Sequence, residues 1–206
     1  MPSPRPYALT TVDRVRTVRL GIDSDQFDGL FANLIDSVTD FIEGECGRRF
    51  KQTDYVHSLY TVHSAGQQYL VLKQSPVTEV SSFQYRLGPN TTADWIDLDP
   101  QIWELLEGGE SGIIEMTYGS LPKYLRVSFI AGYLIDWDSY SDETLHTLPA
   151  DLSDLAERLV IKLFKRREAE GKMSDSFERS QIAWRDTLIE DDTRVLDRYR
   201  RLPSLS

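Results

Sequence analysis

The chain contains a single cysteine, Cys46, in 206 residues. One thiol excludes an intramolecular disulfide and any cysteine cage for a metal within one copy. Histidine is almost as scarce: His57, His63 and His146 are the full set, and none has the spacing of zinc ligands. No window approaches the about 18 uninterrupted apolar residues of a membrane span. The opening stretch MPSPRPYALTT has prolines and no apolar run, so no signal peptide is expected. A protein of a reducing, aqueous compartment, without membrane contact, is the expectation.

Catalytic signatures are missing too. There is no G-x-x-x-x-G-K-[ST] phosphate loop, no G-x-G-x-x-G and no G-x-S-x-G elbow. His57 and His63 are an even number apart and would share a face of one straight strand. A metal pair there is weaker than the reading as ordinary half-exposed histidines. DWDSYSDE gathers Asp136, Asp138 and Asp142. As an EF-hand it fails, because Ser141 stands at the glycine position and Thr147 at that of the bidentate glutamate. No catalytic residue, no cofactor and no metal site is expected.

Bases are nearly absent from the middle of the chain. Leu87 to Leu155 holds 13 acids against Lys123 and Arg126, which accounts for essentially all of the net charge of −10. Such a chain repels phosphates instead of releasing their counterions, so it is a poor nonspecific DNA binder. The acids either keep a surface soluble or face a polyanion that must slide past unheld.

The patterns that are present describe an α+β chain. Thr10-Thr11-Val12-Asp13 reads as a helix start, and the short helix should run to about Leu20, before Gly21. From near Asp25, Phe27, Leu30, Phe31, Leu34, Ile35, Val38, Phe41 and Ile42 fall on an arc of roughly 140°. Residues 55–133 break into short runs rich in β-branched and aromatic residues: YVHSLYTV, QYLVLK, VTEVSSFQYRL, SGIIEMTYG and LRVSFIAGY. Turn residues separate them, which predicts an antiparallel β subdomain inserted between helices. A third helix runs from about Pro149 to before Gly171, with Leu152, Leu155, Ala156, Leu159, Val160, Leu163 and Phe164 over roughly 180°. Ile161 lies outside that arc, among Asp154, Glu157 and Lys165. The apolar width fits either contact with another subunit or burial on two sides within one chain. After the polar segment KMSDSFERSQ, a last helix sets Val195, Leu196, Tyr199 and Leu202 on one side. Glu190, Asp191 and Asp192 precede it, and Arg194, Arg198, Arg200 and Arg201 suit its carboxyl end.

FIEGECGRRF, residues 41–50, places Cys46 at a helix carboxyl end, where the dipole raises a thiol pKa. Cys46 therefore reads as a buried structural residue and not a nucleophile. Arg48 and Arg49 suit the same helix end, and Phe50 can fold back on the apolar face. This ending, with ALTTVDRVRTVRLGI before it, resembles the head-to-tail connector (head completion or adaptor) proteins of tailed bacteriophages. SPVTEVSSF is similar to that family's Pro-Val-x-x-Val strand, and VSFIAGY to its strand ending Ala-Gly-Tyr. PADLSDLAERLVIKLFKRRE resembles its third helix, and VLDRYRR its terminal motif, although Arg198 stands where the family often has proline.

The resemblance implies a helical bundle core with an inserted antiparallel β subdomain and a C-terminal helix or tail. The parts would be residues 1–54, 55–135 and 136–206 of one composite domain. It implies a virion protein made in the bacterial cytoplasm, a homo-oligomeric ring of about twelve copies docked under the portal. That ring would extend the DNA channel, let DNA pass through without specific binding, and give neck or tail completion proteins a landing surface. Arg194, Val195, Leu196, Arg198, Tyr199, Arg200 and Arg201 would meet the portal, leaving a chain cut after Asp192 folded but unable to dock. Leu159, Ile161 and Phe164 would meet neighbouring subunits. Asp94, Asp97, Asp99, Glu104, Glu107 and Glu110 are candidates to line or flank the channel. Another neck or tail completion or terminator ring is the nearest alternative. A small metal-dependent hydrolase built on Asp136 and Asp138, and an acidic DNA mimic, are alternatives of other classes.

Overall fold

Between Phe27 and Ile42 apolar residues recur every three or four positions, and in the computed structural model this stretch lies in a 19-residue helix, α1 (Asp28–Cys46). The structure describes residues 4–88, 94–138, 146–169 and 188–201. Its chain divides into two units, Met1–Gly47 with Leu134–Arg200, and Arg48–Tyr133 with Arg201–Ser206. Helices in the first and antiparallel sheets in the second make the fold α+β.

In the first unit, α1 starts three residues later than the periodicity suggests. The Asp28 N–H closes a turn on the Asp25 carbonyl (3.0 Å), and the first i to i+4 bond runs from Phe31 to Phe27 (2.9 Å). At the other end Gly47 adopts φ +64°, and its N–H returns to Glu43 and Gly44. Glycine suits that left-handed cap because it has no Cβ to clash. Phe31, Leu34, Ile35, Val38 and Ile42 are buried, which realises the predicted stripe. The third predicted helix is α2 (Ala150–Ala169), and the last is α3 (Glu190–Tyr199). α1 and α2 pack together, and α3 touches both. Between α1 and α2, Phe164 meets Phe27 and Phe31 with ring centroids 5.5 and 4.9 Å apart.

The short amino-terminal helix departs from expectation. It is a π-helical turn, Arg14–Arg19, opened by Thr11, whose Oγ1 accepts from the Arg14 N–H (3.3 Å). Leu20 bonds back five residues to Val15 (3.2 Å) and Ile22 six residues to Arg16 (3.0 Å). The wider turn coincides with three arginines that each reach a carboxylate on another helix.

Among the described residues the second unit holds seven strands: β1 (Thr53–Thr61), β2 (Tyr69–Val71), β3 (Val77–Arg86), β4 (Ile96–Asp97), β5 (Trp103–Leu105), β6 (Ile113–Met116) and β7 (Tyr124–Ala131). A four-stranded sheet runs β1-β7-β3-β4 and a three-stranded sheet β2-β6-β5, with every pairing antiparallel. Both contribute to one core, with Phe83, Leu125, Val127 and Phe129 from the first and Leu70, Ile114 and Met116 from the second. Where the chain enters and leaves this unit its ends lie side by side. The Tyr133 N–H donates to the Phe50 carbonyl (2.7 Å) and the Gln52 N–H to the Tyr133 carbonyl (2.8 Å). The argument that His57 and His63 share one straight strand fails. β1 bulges between Tyr55 and Ser58, His57 has φ +55°, and His63 lies beyond the strand end.

Gly109 is the tightest point of this unit. Its φ is +96°, and a Cβ there would lie 2.0 Å from the Val77 carbonyl oxygen. Gly109→Ala should cost about 1–3 kcal/mol from overpacking against rigid backbone. Gly66→Ala serves as the control, at φ +80° with nothing within 4 Å. Urea titrations of both variants should show a clearly larger loss at Gly109; equal losses would mean that the close approach is not limiting.

Candidate interaction surfaces

Among the buried carboxylates of the helical unit, Glu157 and Asp192 are the most enclosed, and they position its elements. Glu157 of α2 is 1% exposed. It accepts hydrogen bonds from Thr10 Oγ1 (3.2 Å), Arg14 Nε (2.6 Å), Arg19 Nε and Ser153 Oγ (3.4 Å). Arg19 also pairs with Asp154. Burial pushes the Glu157 pKa up, but the hydrogen bonds and charges of Arg14 and Arg19 outweigh it and hold the carboxyl below its usual range. Asp28, at the start of α1, receives Arg16 at 3.2 Å through both oxygens. The amino-terminal segment is thus fastened to α2 and to α1 by ion pairs.

Asp192 plays the matching part for α3. It is fully buried, takes Lys162 Nζ at 2.7 Å and Arg158 Nη2 at 3.2 Å from α2, and accepts the Ile189 N–H at 3.2 Å. That last bond satisfies an amide at the helix entry, as an acid in the first turn can. Burial opposes ionisation here as well, and Lys162, Ile189 and Arg158 overcome it, so the pKa is lowered. Sequence periodicity assigned Glu157 to a polar flank, and no local signal marked its burial, because its arginine partners lie about 140 residues away in sequence.

α3 is folded onto its own unit. Leu196 is 1% exposed, and the Cys46 thiol faces its carbonyl at 3.7 Å. Cys46 is buried, as expected of a structural residue. The Tyr199 hydroxyl donates to Asp151 (2.6 Å), and Arg198 pairs with the same carboxylate (2.6 Å). Arg194 pairs with Glu190 and Asp191, and Arg200 with Asp197 and Glu45. Of the seven residues assigned to a partner surface, Leu196 belongs to the core. Arg194, Arg198, Arg200 and Arg201 are exposed, and Val195 and Tyr199 are half-buried.

The candidates on α2 divide in the same way. Leu159 is wholly covered and Phe164 is 8% exposed within the chain. Leu159 has no surface left for a neighbour and Phe164 little, because the facing aromatic and aliphatic side chains come from the same polypeptide. Ile161 keeps part of its surface.

The six acids assigned to the channel, Asp94, Asp97, Asp99, Glu104, Glu107 and Glu110, are all exposed on the β unit. Asp97 accepts from Gln84 Nε2 (2.7 Å), and Asp99 caps a 3-10 turn through the Gln101 N–H (2.9 Å). Arg48 differs from its expected place at the helix end. It is 9% exposed, donates to Ser75 Oγ (2.9 Å), and stacks over Phe50 and Tyr133 at 5.1 and 5.9 Å. Tyr60 is half-buried. Burial pushes its pKa up to about 12, although the Lys73 N–H bonds its oxygen at 3.1 Å. No three metal-ligating side chains gather among the described residues, and Asp142 lies outside them. No described helix is long and apolar enough to cross a membrane.

Losing a buried charged hydrogen-bond acceptor costs about 1–3 kcal/mol, and Arg14 and Arg19, 23% and 40% exposed, stay in contact with water once it is gone. Glu157→Gln should therefore lower stability by that order at pH 7, measured by urea unfolding. Because the folded pKa values of Glu157 and Asp192 lie below their unfolded ones, their stabilisation is complete above the ordinary carboxylate range. It is lost as pH falls through the folded values, below about pH 4. Melting curves from pH 7 to 2.5 should show a shallower acid loss in Glu157→Gln than in the parent chain. Parallel curves would remove Glu157 from the acid transition.

No protein-family profile matches the chain, and no curated protein matches it. Solved structures do. One is a chain of "Neck of empty GTA particle computed with C6 symmetry", with TM-score 0.56 and 15% identity, covering 95% of this chain and 91% of that one. Another belongs to "Virion of native gene transfer agent (GTA) particle", with TM-score 0.55, 17% identity and the same coverage. At such identity the likeness is one of fold, and it extends over nearly the whole chain.

Proposed function

We propose that the protein is a non-catalytic component of a phage-type neck, a head-to-tail adaptor in which about twelve copies close a ring under the portal. The observation that carries the reading is a fold shared end to end with a chain of a neck assembly. Twelve copies are compatible with the sixfold symmetry named for that neck. In this reading the helical unit is the bundle core and the β unit an insertion. The acidic stretch from Asp94 to Glu110 lines or flanks a channel through which DNA slides unheld. The ring's far side receives neck or tail completion proteins.

The portal surface is assigned to Arg194, Val195, Arg198, Tyr199, Arg200 and Arg201, with Ile161 as a contact between subunits. The α3 ion pairs are solvent-exposed and worth only about 0.2–1 kcal/mol each, so a carboxylate-rich partner exchanges them at little cost. Arginine suits that exchange through its bidentate fork. Leu196 is not available to the portal because it is buried. A chain ending at Asp192 therefore loses a core contact as well as a docking surface, and truncation cannot separate the two roles.

The test uses surface variants and the portal of the particle this protein would belong to. Electron microscopy of the mixture should show a stacked ring coaxial with the portal. Arg194→Glu with Arg198→Glu should abolish stacking while the melting temperature stays near that of the parent. Leu196→Ala should instead lower stability by about 2–5 kcal/mol. A protein that never joins its portal, or joins only the far end of a tail, overturns the adaptor assignment.

A further inference from the structure

Lys123 and Arg126, the two bases of the acidic stretch, meet Arg86 on one outer face of the β unit. The two sheets share a core, so the pleat turns alternate residues of each to outer faces that look away from each other. On the four-stranded sheet, Leu59, Arg126, Gln84 and Asp97 form one row across all four strands, and Thr61, Tyr124 and Arg86 the next. The Trp95 indole lies against Arg86 and Arg126, with guanidinium carbons 4.9 and 4.6 Å from its centroid. Lys123 and Arg86 both stand 5.6 Å from the Tyr124 ring. Gln84 Oε1 accepts from Arg126 Nε (2.9 Å) and Nη2, which fixes the guanidinium in plane. Among the described residues, neither Lys123 nor Arg126 has a carboxylate within ion-pair distance.

The outer face of the three-stranded sheet is the opposite in charge. Glu104 of β5 stands directly across from Glu115 of β6, with Tyr69 of β2 on the far side of Glu115. Like charges facing each other on neighbouring strands repel. Neither glutamate forms an ion pair among the described residues, and Glu115 instead takes the Tyr69 hydroxyl, which holds the Tyr69 pKa up.

We propose that successive copies dock their β units head to tail, the Arg86–Trp95–Arg126 face with Lys123 of one copy receiving the Glu104 and Glu115 carboxylates of the next. Two different faces of one unit make a heterologous contact, which propagates around a ring and closes. The inference rests on the ring reading above. Asp94 and Asp97 border the cationic face, so the incoming carboxylates land on the Lys123 and Tyr124 side. The same border argues against DNA as the occupant. A continuous polyanion cannot avoid those two acids in a chain of net charge −10, whereas two carboxylates need only a small target. Glu104 then faces a neighbour, Asp94 and Asp97 flank that contact, and Asp99, Glu107 and Glu110 remain for the channel.

The experiment pairs charge reversals in the full chain, with ring assembly on the portal read by electron microscopy and sedimentation. Lys123→Glu with Arg126→Glu, and Glu104→Lys with Glu115→Lys, should each reduce assembly by about tenfold or more at low salt. An equimolar mixture of the two variants should restore it, because every contact then again joins opposite charges. Lys123→Glu alone and Glu104→Lys alone change exposed side chains and keep the test valid if a double variant misfolds. The inference is overturned if rings persist in both reversals, if variants that melt like the parent fail to complement, or if the cationic face instead binds an oligonucleotide. A parent chain that forms no ring on its portal overturns the ring reading as well.

Discussion

Glu157 is the constraint from which the helical unit takes its arrangement. A carboxylate 1% exposed cannot remain ionised without partners, and its partners come from residues up to 147 positions away in sequence. Thr10, Arg14 and Arg19 must therefore lie along α2, which fixes the course of the amino-terminal segment. Arg16 from the same segment then finds Asp28 and ties that segment to the first turn of α1. From the next residue of α2 and the turn beyond it, Arg158 and Lys162 take Asp192 and seat α3. α2 thus buries its apolar side against α1 and holds both terminal segments with its polar flank.

That division explains what could be read from the sequence. The stripe on α1 and the broad face of α2 were legible because each repeats at the helical period, and burial needs no knowledge of a partner. The apolar width of α2 had two readings, and the intrachain one holds for Leu159 and Phe164, which α1 and the α2 surroundings cover. Glu157 was illegible, since on a helical wheel it sits with Asp154 and Lys165 and only the folded chain brings the arginines to it. β4 and β5, at two and three residues, are too short to show a period of two. The bulge at His57 broke a face that counting alone assumed to be continuous.

The surface charge follows the same logic at longer range. Arg86, Lys123 and Arg126 are separated in sequence, yet antiparallel pairing of β3 with β7 puts Arg86 across from Tyr124 and Gln84 across from Arg126. Composition showed an acidic stretch with two stray bases. Register converts the strays into a cationic face around one indole. The same register sets Glu104 against Glu115 on the other sheet. A segment average conceals a polarity that runs through the thickness of the sandwich.

Buried ion pairs contribute little net stability compared with apolar residues of equal volume, because desolvation cancels most of the attraction. What they penalise strongly is misplacement, since a slipped helix leaves a charge buried and unpaired. An apolar seam between α1, α2 and α3 alone would tolerate small slides at small cost, because dispersion and hydrophobic contact are non-directional. Glu157 and Asp192 make such slides expensive, and the arginines of α3 and the flank of α2 keep their positions as a result. A subunit that must meet identical neighbours at a fixed angle gains from that rigidity in a way a solitary protein does not, since an angular error in one copy is repeated at every interface of a closed ring.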